Sequence, residues 1–218
     1  SINSNAKLEK SDLDVVRKVA GVKEATGSYA ISAEVEFNKQ KRYAFLLASD
    51  IRNYKELVLE VYTLDLLKGQ ELSGRESLEA VLGYNYLLDD KIFSKAVDLG
   101  DKIKVNGREL QVRGFYEELG NPADDSNVYI STETAEKFFS ADNFQYVTIR
   151  ASEGENLTKL AETITKELRQ HRDQKAGSED FQVESFEQVI AAFSSVLDII
   201  TLVVVLIAAI SVLVAGVN

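Results

Sequence analysis

The chain has 218 residues, 45% hydrophobic and 28% charged, with 25 Lys and Arg against 35 Asp and Glu and a formal net charge of −10. That balance excludes a phosphate-tracking surface, because nucleic-acid binders concentrate cations to displace counterions, so nucleic acid is not an expected partner. The absence of Cys excludes disulfides and thiolate metal sites and leaves stability to the core.

In chain order, Ser11-Asp12-Leu13-Asp14 opens a short helix with Ser11 as N-cap and Leu13, Val16, Val19 and Ala20 on one face, stopped by Gly21. A hairpin follows: Ala30 to Phe37 alternates, Asn38-Lys39-Gln40 turns, and Tyr43 to Ala48 returns. Asn53 to Leu67 carries no clear period. Glu79 to Gly83 is a short strand, and Tyr84 to Phe93 is expected to be helical. Asp101 to Val105 and Glu109 to Tyr116 flank Asn106-Gly107, the strongest short hairpin signal in the chain. Asn127 to Ile130 is a strand, Thr132 caps a helix through Phe139, and Gln145 to Arg150 is a strand. Asn156 then caps a helix in which Leu157, Leu160, Ala161, Ile164 and Leu168 recur at helical spacing up to Arg172. Phe181 to Glu184 is expected as a last strand, and from Phe186 an amphipathic helix runs onward without a break.

That helix continues into a membrane span. Ile199 to Val217 holds no charged residue, and such a run reaches roughly 28 Å, close to the ~30 Å of a bilayer core. No basic residue lies between Lys175 and the span, whereas Glu179, Asp180, Glu184, Glu187 and Asp198 do. Cytoplasmic flanks carry Lys and Arg, so residues 1 to about 195 are expected outside the cytoplasm, tethered to the cell membrane. The chain starts at Ser1 without a Met and stops at Asn218 directly after the span, which reads as a piece of a longer protein with another span upstream.

Candidate chemistry is sparse. No Gly is followed by the Gly-Lys-Ser or Gly-Lys-Thr of a phosphate-binding loop, so any ATPase is expected in another chain. His171, the single histidine, sits among Arg169, Gln170 and Arg172 and reads as a solvated helix-end residue. Asp89-Asp90, Glu117-Glu118 and Asp124-Asp125 pair carboxylates, but no calcium-loop pattern surrounds them, and they read as turn acids. Asn156-Leu157-Thr158 matches both a glycosylation acceptor and a helix cap. The aromatic residues Phe138, Phe139, Phe144 and Tyr146, and Phe181, Phe186 and Phe193, belong to a core or to an exposed patch that grips a partner. No catalytic, cofactor-binding or metal-ligating residue is assigned. Exposed turns leave Asn106, Gly107, Asp124, Asp125 and Asn127 as candidate partner contacts.

The order of segments resembles a known family. Leu67 to Leu72, Ala80-Val81-Leu82-Gly83 with its following segment, Leu99 to Gly107, Gln111-Val112-Arg113-Gly114-Phe115 and Asp125 to Ala135 are similar to the extracytoplasmic domain of MacB/FtsX-like permeases of ABC transporters. Ser131 stands where that family usually has Pro. Phe181-Gln182-Val183 and the span with Leu213-Val214-Ala215-Gly216 resemble its final strand and second transmembrane helix. The resemblance implies an α+β fold with two lobes: a membrane-proximal α/β lobe from residues 1–64 and 142–192, a β-rich lobe inserted at 65–141, and a connector and transmembrane helix at 193–218. It implies no enzyme and no cofactor in this chain, a cytoplasmic ABC ATPase and a second permease copy as partners, and an extracytoplasmic adaptor or target protein as a further one. The implied activity is conversion of ATP hydrolysis inside into motion outside, for efflux, lipoprotein extraction or control of a cell-wall hydrolase. A membrane-anchored extracytoplasmic enzyme or receptor module is the alternative.

Overall fold

The computed structural model describes residues 7–73 and 77–217. Its organising element is β1 (Val22–Phe37), sixteen residues long and so about 50 Å from end to end at roughly 3.3 Å per residue. The strand is eight residues longer than its alternating half, because Thr26-Gly27-Ser28 reads as a break but is paired throughout. A Cβ at Gly27 would stand inside the Phe144 ring, so glycine is what lets the two segments close.

β2 (Gln40–Ser49) returns along β1 from Ser28↔Ser49 to Phe37↔Gln40. The turn is the two residues Asn38 and Lys39, both at positive φ, the geometry whose twist matches a hairpin. β7 (Val128–Ser131) lies parallel to the end of β2, and β4 (Glu79–Leu82) joins β7 to β6 (Arg108–Tyr116). β5 (Lys102–Val105) pairs with β6 across the Asn106-Gly107 turn and, through Val35↔Val105 and Glu36↔Lys104, with the far half of β1. These pairings close on themselves, so β1, β2, β7, β4, β6 and β5 form a ring. β3 (Leu66–Gly69) adds to β6 outside it, and β8 (Tyr146–Ala151) pairs with the first half of β1.

The period-two alternation of side chains sorts residues between the two faces of this ring. Ala80 and Leu82, Val128 and Ile130, and Leu46 and Ala48 enter the main core with Val35, Ile103 and Phe115. Their neighbours Val81 and Tyr129 face outward into a second, smaller core under α2 (Ile51–Tyr62), with Ile51, Val58 and Tyr116. Segment 65–141 supplies β3 to β7, and the flanking segments supply β1, β2 and β8 to the same sheet.

Three helices cover the remaining faces. α1 (Lys10–Lys18) begins at Glu9, not Ser11: Glu9 and Asp12 form a reciprocal capping box, which a charged residue in the cap position hides from the usual Ser/Thr signature. α3 (Thr132–Phe139) is capped by Ser131, whose Oγ accepts from the Thr134 N–H, one residue earlier than expected. α4 (Leu157–His171) is capped by Asn156 accepting from Lys159 N–H, as expected. The helix expected over Tyr84 to Phe93 is only one 3₁₀ turn, Tyr84–Leu87. The chain then folds back, with Val97 N–H donating to Tyr86 O and Ala96 N–H to Asp89 Oδ1. α5 (Phe186–Val217) is continuous over 32 residues. Its stretch Phe186–Ala208 is long and apolar enough to cross a membrane by length and composition.

Candidate functional site

No strand forms at Phe181 to Glu184. The connector between α4 and α5 runs as irregular chain across one face of β8 because polar side chains pin it there. Arg172, which ends α4, is the centre of this arrangement. Its Nε and Nη2 donate to the two carboxylate oxygens of Asp12 in α1 at 3.0 and 2.6 Å. Nη2 also donates to the Lys7 carbonyl at 2.6 Å and Nη1 to Asp180 Oδ1 at 2.8 Å. One guanidinium therefore holds the chain entering α1, α1 itself, the end of α4 and the connector leading to the membrane helix. Such a planar fork fits two carboxylates at once, which a lysine ammonium does not. The guanidinium also lies 5.6 Å from the centroid of the Phe181 ring.

The surrounding contacts reinforce this clamp. Gln174 Nε2 donates to the same Asp180 oxygen at 2.8 Å, and Arg169 pairs with Glu179 at 3.1 Å. Burial disfavours the charged form of Asp12, whose side chain is 4% exposed, but the Arg172 hydrogen bonds and the Glu9 N–H outweigh it and hold the carboxyl below its ordinary range. Gln174 and then Arg172 do the same for Asp180 against a smaller burial cost. His171 is exposed at the end of α4, as expected of a solvated helix-end residue, with Nε2 3.9 Å from Asp12 Oδ1 at the edge of the same cluster.

Beneath the connector lies a groove of about 680 Å³. Val147 and Ile149 of β8 form its floor, and Ile164 and Leu168 of α4 form one wall. Phe181 and Val183 close it from the connector side, and Phe186 and Val189 continue it onto the first turns of α5. The groove is thus an apolar contact that has room to adjust, held shut at one end by a charged clamp. The groove joins the first turns of α5 to β8 and α4, and its lining sets no nucleophile, base and orienting group together.

The candidate partner contacts do not converge. Asn106 is exposed but structurally engaged: its N–H donates to Glu34 O and its Oδ1 accepts from Glu34 N–H, both at 2.8 Å, tying the β5–β6 turn to β1. Gly107 is exposed at φ +79° with open space around it. Asp124 is exposed and accepts from Asn121. Asp125 and Asn127, expected to be exposed, are 3% and 5% exposed instead. Asp125 Oδ1 accepts from Leu119 N–H at 2.7 Å, and Asn127 O from Gly83 N–H at 3.0 Å, so both close the loop before β7. The Asn106-Gly107 turn precedes β6 and the Asp124 loop packs beyond its far end, so the two stand a strand length apart. Sequence reasoning missed Arg172 and Asp12, since charges 160 residues apart give no local signal.

Comparison with known proteins places this architecture. A family model described as the MacB-like periplasmic core domain matches residues 2–167. An uncharacterised ABC transporter permease of Methanocaldococcus jannaschii is 30% identical over 192 residues, covering 85% of this chain and 45% of its own length. The chain therefore spans a little under half of that relative. Among solved structures, the periplasmic region of MacB from Actinobacillus actinomycetemcomitans superposes with a TM-score of 0.68 at 19% identity, over 87% of this chain and 85% of that one. The extracellular domain of the transporter YknZ from Gram-positive bacteria gives 0.66 at 17% identity, over 83% and 91%. At those identities the likeness is one of fold.

Proposed function

Because the chain belongs to the MacB-like periplasmic core domain family, we propose that it is the extracytoplasmic part of an ABC transporter permease subunit that turns ATP hydrolysis on the cytoplasmic side into motion outside. Residues 1 to about 195 lie outside the cytoplasm in this reading, and a cytoplasmic ATPase and a second permease copy complete the machine. The observation that carries the reading is the junction. An unbroken helix of 32 residues, about 48 Å long at roughly 1.5 Å per residue, enters the domain next to a connector clamped by Arg172. A stiff rod transmits displacement, which a Gly/Ser linker dissipates. The chain-order division into 1–64 with 142–192 and 65–141 then becomes a mechanical one. β3 to β7 make most of their pairings among themselves and meet the rest through β2–β7 and the two-residue β1–β5 contact. Asn106, Gly107 and Asp124 are proposed contacts of the distal part with an extracytoplasmic protein, whether the machine exports a cargo or regulates a target.

These 218 residues contain no Cys, and any Cys elsewhere in the permease is first replaced by Ser. In the full-length permease reconstituted with its ATPase, spin labels at Val183→Cys and Gly107→Cys report the distance between connector and distal turn. The expected result is a distance distribution that shifts between nucleotide-free and ATP-bound states. An unchanged distribution while the ATPase turns over, or a permease that binds no ATPase, overturns the reading.

A further inference from the structure

The far half of the β1–β2 hairpin carries a surface that the coupling role does not use. β7 pairs with β2 only from Leu46 to Ser49. Along Lys41 to Phe45, no backbone hydrogen bond on the side away from β1 is made among the described residues. The register identifies which groups are left open. In an antiparallel pair, residues opposite each other alternate between exchanging both hydrogen bonds and pointing both groups away. Glu34 points away from β2, since its N–H and C=O are taken by Asn106. Its partner Tyr43 therefore points its own N–H and C=O to the opposite, open edge, and Lys41 and Phe45, two residues to either side, do the same, with the Lys41 C=O accepting from Arg42 Nη1 at 2.8 Å.

The side chains on this edge are exposed too. Tyr43 is 80% and Phe45 55% exposed, both on the outward face of the strand. Natural sheets blunt such edges with charge, proline or cover, and adjacent exposed aromatics on an open edge are the opposite arrangement. The charge left unmatched around them is positive. Lys41 and Lys104 are matched to Glu34 and Glu36, whereas the exposed Lys39 and Arg42 have no carboxylate partner among the described residues. Surplus positive charge thus flanks the edge in a chain whose net charge is −10.

We propose that the open edge of β2, Lys41 to Phe45, is a docking strand for an extended acidic segment of a partner protein, which adds as a further strand. The backbone of Tyr43 and Phe45 with the Lys41 N–H supplies the ladder, Tyr43 and Phe45 receive apolar side chains from alternate positions of the segment, and Lys39 and Arg42, whose Nη1 also caps the Lys41 C=O, receive its carboxylates. A second copy of this chain brings the same cations to the same edge and is disfavoured by like charge. The inference rests on the reading that the domain meets another protein outside the membrane.

The test uses the chain of residues 1–218 in lipid nanodiscs with a synthetic nine-residue peptide alternating Glu with Val and Phe. A control peptide replaces every Glu with Lys. Hydrogen exchange across residues 40–46 is expected to slow about tenfold with the acidic peptide and to stay unchanged with the basic one. Tyr43→Ser with Phe45→Ser is expected to weaken peptide binding by about tenfold or more while leaving the thermal midpoint in place. Lys39→Glu with Arg42→Glu, which leaves the aromatic pair intact, does the same through charge and remains informative where the first variant misfolds. Equal protection by both peptides, protection that rises with protein concentration alone, or loss of binding when lipid is changed each overturns the proposal. The assay contains no ATPase or nucleotide, so its failure removes the docking strand and leaves the coupling reading to the distance measurement above.

Discussion

The strand ring and the membrane junction of this domain are built on opposite principles. The ring is closed and apolar inside: Leu82, Ile103, Leu110 and Phe115 are fully buried within it, and the second core under α2 packs its outer side. The junction has an apolar groove of about 680 Å³ and depends on one arginine to hold four segments together. Close-packed interiors move as units, whereas a polar clamp over an underfilled groove has alternatives of similar energy. Under the proposed coupling role, the ring would carry a shape and the junction would change one.

The sharpest test of that contrast is truncation inside the ring. Phe115→Ala removes a fully buried side chain and is expected to destabilise the domain by about 3–5 kcal/mol, read from chemical unfolding. Arg172→Gln is expected to cost less, about 2 kcal/mol. Fully buried pairs cost more when broken, but Asp180 is partly solvated here and water replaces part of the loss. What distinguishes the two variants is dynamics. Arg172→Gln should raise the mobility of a label at Val183 with the ring amides still protected from exchange, and Phe115→Ala should lower protection across the ring. Equal loosening of both regions by either variant would sink the contrast.

Acid sharpens the same comparison. Asp12 and Asp180 have carboxyls held below their ordinary value of 3.8. Their stabilisation is complete above that value and is lost as pH falls through it toward the lower folded-state values, because the unfolded chain takes up protons first. The thermal midpoint should therefore drop between about pH 5 and about pH 2, and Asp12→Asn should flatten the slope. A wild-type slope retained in Asp12→Asn would place the acid sensitivity elsewhere. The smallest effect is expected at Asn156→Ala, which removes the α4 cap at a cost of about 1 kcal/mol without altering the clamp.

Elements with local signals were legible in the sequence. The Asn106-Gly107 hairpin, the Asn156-capped helix and the unbroken helix from Phe186 appear where pattern and capping chemistry place them. The misreadings have physical causes. α2 was illegible because it buries only Ile51, Leu57 and Val58 and is kinked at Tyr54, which blurs its period. Tyr84 to Phe93 has helical composition, but Asp90 adopts positive φ and Asp89 captures a backbone N–H from across the turn. Phe181 to Glu184 has strand composition, yet Arg172 and Gln174 hold Asp180 in place just before it. Closure of the ring was invisible for a broader reason, since it depends on registers between strands that no single segment encodes. Within the candidate site the apolar lining was partly legible through the periodicity of α4, and the clamp was not.

The length of β1 has a consequence for how the chain is made. One of its edges is satisfied at once by β2 across a two-residue turn, but the other waits for β5, which pairs Glu36 with Lys104, and for β8, which pairs Glu24 with Arg150. Partners so remote in sequence raise contact order and slow folding. A chain emerging from its N-terminus must therefore carry a half-paired strand of sixteen residues until more than one hundred further residues have followed it. Pulse-labelled hydrogen exchange should find the β1–β2 hairpin protected early and the β1–β8 seam last. Biogenesis of this domain then calls for protection of that waiting edge through most of its synthesis.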